Sequence, residues 1–419
     1  MLHQIGRKLR IQINLFSGEL SAGLGKVTSR FVEEMIYGIC ASGSVLLSEV
    51  ARALEEPIEM HATHKRLSAN LSNGKIERTI AKSVLAMGAK RIKKDTLLIV
   101  DPSDITKKYA RKMEYLAEVR DASEKKIGDG YWLCEVVGCE HGKHEITPLA
   151  QILWSQKAPD FVSENTQILS LVDKVLSATE HRGILVYDRG GDRREFLIPW
   201  TQDARVRYLV RQRGDRHLLY NGMLQAAETL ANMCKTPYAE SIVKEVNGKE
   251  KYYFIDFGFV PVRLPEVPDR PLWLVVVKGF GNRPMMLLTT EPMRRNRTVL
   301  WWAVEAYLTR WRVEDTIRFI KQSYDLENVR VLTYQRLKNL VTLLLAVSYF
   351  TAAWIGSKSK LKILMMHGFK AAKRIFGVPD FKYYALSDGM KHILSRTKRL
   401  TRSHCQGLAP PLPELPLFD

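Results

Sequence analysis

Acidic residues are scarce in this chain. Its 419 residues hold 45 aspartates and glutamates against 64 lysines and arginines, a formal charge of +19. Such an excess excludes an acidic solvating protein and favours a polyanionic partner, usually nucleic acid. A ribosome-associated or membrane-surface protein is the blander reading of the same charge. Cysteine is scarcer still, with only Cys40, Cys134, Cys139, Cys234 and Cys405. Five thiols cannot staple a chain this long, and they point to a reducing compartment, the bacterial cytoplasm. Cys134, Cys139, His141 and His144 follow no common zinc spacing. In a strand, the odd offset would send the two thiols to opposite faces. The opening MLHQIGRKLRIQ lacks the apolar stretch of a secretory signal. Long apolar runs are missing too. The most apolar segment, from Leu340 to Gly356, is short, carries Thr and Ser, and reads as a buried core helix rather than a membrane span. No internal repeat is present.

With 46% hydrophobic and 26% charged residues the composition is that of a globular protein. Residues 1–93 read as a helical, basic, DNA-binding domain. Ser42 or Ser44 is a candidate N-cap, and two short helices follow, parted near Pro57. The pair resembles a helix-turn-helix and equally a plain bundle. From Thr96 to Val100 the texture turns β-prone, and the run ends at Asp101. Strands and helices then alternate to residue 211, including GILVYD, which ends at Asp188. Residues 212–286 are rich in strands and turns and read as a β insertion. Helices return over 287–355. Residues 356–419 form a helical region with a basic, Pro-rich tail.

The stretch YLTRWRVEDTIRFIK, Tyr307 to Lys321, has no Gly or Pro and predicts a helix. With Tyr307 at zero, Arg310 falls near about −60°, Glu314 near about −20°, Arg318 near about +20° and Lys321 near about −40°. One carboxylate ringed by cations suits a metal ligand beside phosphate-holding side chains. Asp101 and Asp188, each at a strand end, could converge with Glu314 around Mg²⁺, which prefers hard oxygen ligands. Each acid alone also has a plain reading. Asp101 could cap a turn, Asp188 could pair with Arg189, Arg193 or Arg194, and Glu314 could pair with Arg310 or Arg318.

Tyr307, Arg310, Glu314 and Lys321 spell Y-x2-R-x3-E-x6-K. This resembles the signature of the insertion-sequence-four, or YREK, family of DDE transposases. VYDRGGDRREF is similar to the family's second-aspartate motif and LLIVDPSDITKKY to its first-aspartate strand. The resemblance implies an α/β, RNase H-like mixed-sheet catalytic core with a β-rich insertion and a helical N-terminal domain. It implies cutting of transposon ends and joining to target DNA, with Mg²⁺ as cofactor and Mn²⁺ able to substitute. Asp101, Asp188 and Glu314 would be the metal ligands. Tyr307, Arg310 and Lys321 would hold DNA phosphates, with Arg318, Arg211, Arg213 and Arg216 as further DNA contacts. A homodimer in the synaptic complex is also implied. Where some members carry a base-stacking Trp, this chain has Met285 and Met286, with Trp273 one strand earlier, so a hairpin step is left open. A catalytically silent, transposase-derived DNA-binding protein and another RNase H-like nuclease are the competing readings.

Overall fold

A computed structural model of the chain describes residues 2–121, 126–143, 145–246, 249–355 and 382–397; in the helix Arg297–Ser323 the side chains are described as far as residue 311. Five helices come first: α1 (Leu2–Leu20), α2 (Lys26–Ser42), α3 (Leu47–Leu54), α4 (Met60–Asn70) and α5 (Lys75–Ala89). Gly43 stops α2 by taking a left-handed φ of 66°, with its N–H bonded to the Ile39 carbonyl. Ser42 ends α2, while the Ser44 hydroxyl accepts the Leu46 N–H at 3.2 Å, just before α3. The two short helices read from the sequence are α3 and α4.

A single sheet follows. Its strands are β1 (Leu97–Thr106), β2 (Ala117–Asp121), β3 (Lys126–Cys139), β4 (Ile146–Trp154), β5 (Ile184–Tyr187), β6 (Tyr208–Arg211), β7 (His217–Tyr220), β8 (Met223–Ala226), β9 (Tyr238–Val246), β10 (Lys249–Leu264), β11 (Val267–Lys278) and β12 (Met285–Thr289). The order is β2-β3-β1-β5-β6-β12-β11-β10-β7-β8, with β4 also on β3 and β9 on β10. β3 is antiparallel to β1 and β4, whereas β1, β5 and β6 run parallel. The parallel pairs need crossovers, which α6 (Glu164–Ala178) and α7 (Arg194–Gln202) supply. Ser163 starts α6 by accepting the Thr166 N–H at 3.1 Å. An antiparallel meander followed by two parallel strands makes the core RNase H-like. The β-rich insertion, which also holds α8 (Ala227–Met233), extends this sheet rather than forming its own. Its last strand, β12, pairs with β6 through Leu287–Arg211, Leu288–Val210 and Thr289–Leu209.

Strand alternation sorts the core into two layers. Leu97 and Ile99 face one side with Ile184 and Val186; Leu98 and Val100 face the other with Leu185 and Tyr187. The first layer lies under α9 (Arg297–Ser323), α10 (Tyr334–Tyr349) and α11 (Lys382–Ser395), and is continuous with Leu9, Ile13 and Phe16 of α1. α6, α7 and α8 cover the second. α10 is the apolar segment noted above. Helix Tyr334–Trp354 is long and apolar enough to cross a membrane by composition, yet 83% of it is buried inside the protein. Asn339, fully buried within it, shows what it holds. Its amide donates to the Leu71 and Asn73 carbonyls at 2.7 and 2.9 Å and accepts the Glu77 N–H at 3.1 Å. The turn between α4 and α5 is thereby fastened to the centre of the molecule.

Candidate active site

β1 and β5 pair as Leu97–Ile184, Leu98–Leu185 and Ile99–Val186. Two residues past the last pair come Asp101 and Asp188. Asp188 follows the end of β5 as expected, whereas Asp101 does not end its strand, since β1 runs on along β3 to Thr106. Asp101 continues the series Leu97, Ile99 of side chains under α9, and its carboxylate lies on that face within reach of Arg310. Asp188 ends its strand by accepting the Gly190 N–H on Oδ1 at 2.7 Å, capping a 3₁₀ turn. Two of the arginines that could have paired with it are engaged elsewhere. Arg193 reaches Asn165 at 2.6 Å and Glu164 at 2.7 Å, and Arg194 reaches Glu266 at 2.9 Å.

α9 crosses above this face. Asn296 caps it, its Oδ1 accepting the Thr298 and Val299 N–H groups at 2.9 and 3.2 Å. Leu300, Ala303, Val304 and Tyr307 form its buried stripe. Arg310, one turn after Tyr307, brings Nη1 to 3.7 Å from Asp101 Oδ1. Two guanidinium groups lie over the Tyr307 ring, Arg310 at 5.4 Å and Arg211 at 6.0 Å from its centroid. Trp311 meets its edge at 5.7 Å and in turn meets Phe280 of the insertion at 5.6 Å. The Tyr307 hydroxyl is buried and has no hydrogen-bond partner among the described residues. Glu314 follows Arg310 by one helical turn, about 6 Å along the axis. The backbone at Glu314, Arg318 and Lys321 is helical, and their side chains lie outside the described residues.

Asp101, Tyr307, Arg310 and Arg211 therefore gather in one place. Arg216 does not join them. Its Nε donates to Asp192 Oδ1 at 2.6 Å, and the Arg213 N–H donates to Oδ2 at 2.6 Å. Asp192 is nearly sealed, its side chain 1% exposed. Burial raises its pKa, and the Arg213 N–H and the Arg216 guanidinium work against that rise. The Arg213 residue itself is exposed. Met285 and Met286 are both buried, on opposite faces of the sheet, and Trp273 is half-buried opposite Thr289. Trp302 stacks on His141 at 5.6 Å and Trp301 packs on Phe257 at 5.8 Å, as core residues do. Cys134 and Cys139 are buried in opposite layers. His144 lies outside the described residues. Among the described residues no three His, Cys, Asp or Glu side chains form a metal cluster.

Two buried charges beside β1 are among those that escaped the reading of the sequence. Glu135, 4% exposed, stands directly opposite Asp101 across the β1–β3 ladder. Its signal was a lone charge within the apolar run WLCEVV. Lys107, 2% exposed, sits just beyond β1. Nothing in TKKYA distinguished it from its neighbour.

The family model for the transposase DDE domain matches residues 92–350, from just before β1 to the end of α10. The chain belongs to the transposase DDE domain family. The match covers more than half of the sequence and takes in Asp101, Asp188 and Glu314 of this DDE transposase chain. No curated protein matches it. Among solved structures it is similar to the piggyBac transposase, in a cryo-EM synaptic complex with hairpin DNA. The TM-score is 0.43 at 10% identity, covering 97% of this chain and 84% of that one.

Proposed function

We propose that this DDE transposase serves an insertion sequence of the YREK type, cutting the element's ends and joining them to target DNA in a reducing cytoplasm. One observation carries the reading. β1 and β5 pair directly and each leads to an aspartate two residues past their last pair, Asp101 and Asp188, while the helix that bears Tyr307, Arg310 and Glu314 brings Arg310 against Asp101. Two like carboxylates so placed repel each other and favour a bound cation. Asp101, Asp188 and Glu314 offer only hard oxygen donors, which fits Mg²⁺, with Mn²⁺ as substitute. When bound, such ions polarise the attacking oxygen and stabilise the leaving one.

The chain's own groups prepare the substrate. Arg310 and Arg211, both held over the Tyr307 ring, present guanidinium groups suited to bidentate phosphate contacts. Lys321 and Arg318 add positive charge further along the helix, and the exposed Arg213 extends it along the DNA backbone. Water attacks the phosphodiester first, and the freed 3′-hydroxyl then attacks target DNA. Holding two ends calls for a homodimer in the synaptic complex.

The test is cleavage and joining of duplex carrying the element's end, with Mg²⁺ or EDTA, for wild type and Glu314→Ala. Metal-dependent cutting and joining, lost in the variant while DNA binding persists, supports the proposal. Cutting without joining would mark a nuclease. Binding without cutting in the wild type would mark a silent DNA-binding protein.

A further inference from the structure

Lys107 is the residue immediately after β1, six beyond Asp101. Its ammonium turns inward and donates to the Leu326 carbonyl and, at 3.3 Å, to the Glu327 carbonyl. These carbonyls belong to the 3₁₀ turn Leu326–Asn328, which follows α9. Asp325, with a left-handed φ of 57°, reverses the chain into it. The backbone N–H of Lys107 meanwhile holds the Asp129 carbonyl at 2.7 Å, so the residue is anchored to the sheet as well. Burying an ammonium is costly. A methionine would fill the same volume without that cost, so the tie to the two carbonyls is what the amine adds.

We propose that Lys107 is a positioning residue for the catalytic carboxylates, locking the end of the strand that carries Asp101 to the turn that ends the helix carrying Glu314. The inference rests on the assignment of those two acids as metal ligands. β1 is hydrogen-bonded to neighbours on both sides and cannot slide. α9 is held mainly by side chains, and a helix packed that way can shift along its axis. Fixing its exit against the exit of β1 sets where Glu314 stands relative to Asp101. A displacement of about 1 Å at such a site costs on the order of 100-fold in rate. Charges around the amine come from both sides. Glu327 draws its pKa upward, and Lys108 and Arg330 line the adjoining cavity of about 260 Å³.

The experiment compares Lys107→Met with Lys107→Arg, whose larger head can extend into that cavity. Three quantities are read: Mn²⁺ affinity by electron paramagnetic resonance, single-turnover cleavage of end DNA, and thermal melting with DNA binding. The proposal requires Lys107→Met to melt no lower than wild type at pH 7 and to bind DNA as wild type, with Mn²⁺ bound about 10-fold more weakly and cleavage slowed about 100-fold. Lys107→Arg should recover most of both. Mn²⁺ affinity and cleavage within twofold of wild type in Lys107→Met would overturn it. So would equal defects in both variants accompanied by a lower melting temperature, since that marks packing alone. Glu314→Ala, run alongside, separates the two levels. If it keeps wild-type Mn²⁺ affinity and cleavage, the acid assignment fails and takes this inference with it. If it loses both while Lys107→Met keeps them, only the inference fails.

Discussion

Arg310 Nη1 stands 3.7 Å from Asp101 Oδ1, with 5% and 18% of the two side chains exposed. The separation is too long for a hydrogen bond and short enough for a strong Coulombic contact. Arg310→Ala should slow end cleavage by about 10- to 100-fold, the range of one lost charge-assisted contact. Arg310→Lys should keep part of the rate, because it keeps the charge and loses the planar fork. Binding of end DNA should hardly change, since a chain of charge +19 makes many phosphate contacts. Gel shifts beside single-turnover rates check both halves.

Tyr307 is fully buried, and its hydroxyl has no hydrogen-bond partner among the described residues. Tyr307→Phe should raise stability by about 1 kcal/mol, the cost of an unmet buried polar group. The ring remains as a platform for Arg211 and Arg310. Under the proposed contact between this hydroxyl and a DNA phosphate, cleavage should nonetheless fall by about tenfold. Urea denaturation and cleavage kinetics on one preparation decide it.

Asp192 and Arg216 are a buried pair at 2.6 Å. Asp192→Ala should cost about 3–5 kcal/mol by leaving a buried guanidinium unmatched. The double variant Asp192→Ala/Arg216→Met should recover part of that loss. Equal destabilisation in single and double variants, read from urea midpoints, would contradict it.

Lys107 also makes stability depend on pH. Burial lowers its pKa from 10.5 to about 7. The unfolded chain therefore holds a proton that the folded chain sheds between those values. Stability should rise with pH above 7, by on the order of 1.4 kcal/mol per pH unit from this group. Cys40 acts in the opposite sense. Its thiol is pushed up to about 12 by burial, so stability present below pH 9 is lost as the pH climbs beyond it. The clean window is pH 7 to 9. Denaturation of wild type and Lys107→Met across that window should show the slope in the first and not in the second.

Much of this was legible in the residues. The apolar runs before Asp101 and Asp188 declared themselves by composition, although β1 does not end at Asp101 and its polar second half, to Thr106, was not legible as strand. The Tyr307–Arg310 stripe was readable because helical periodicity is local. What stayed hidden depends on pairing between distant segments. Glu135 comes opposite Asp101 only through strand register. Arg216 looked like one more exposed cation until Asp192 engaged it from 24 residues away. Lys107 reaches a turn more than 200 residues further along. The continuation of the insertion into the catalytic sheet was hidden for the same reason, since no local pattern shows that β12 will lie against β6.

That seam decides how freely the insertion can be exchanged. Removing residues 212–289 would strip β6 of β12 and leave Leu209, Val210 and Arg211 as a raw edge, open to pairing with another molecule. A shortened or transplanted version would have to bring its own closing strand, matched to those three residues. In evolutionary terms the insertion is a graft with a fixed suture: its tip can diverge, and its last strand cannot.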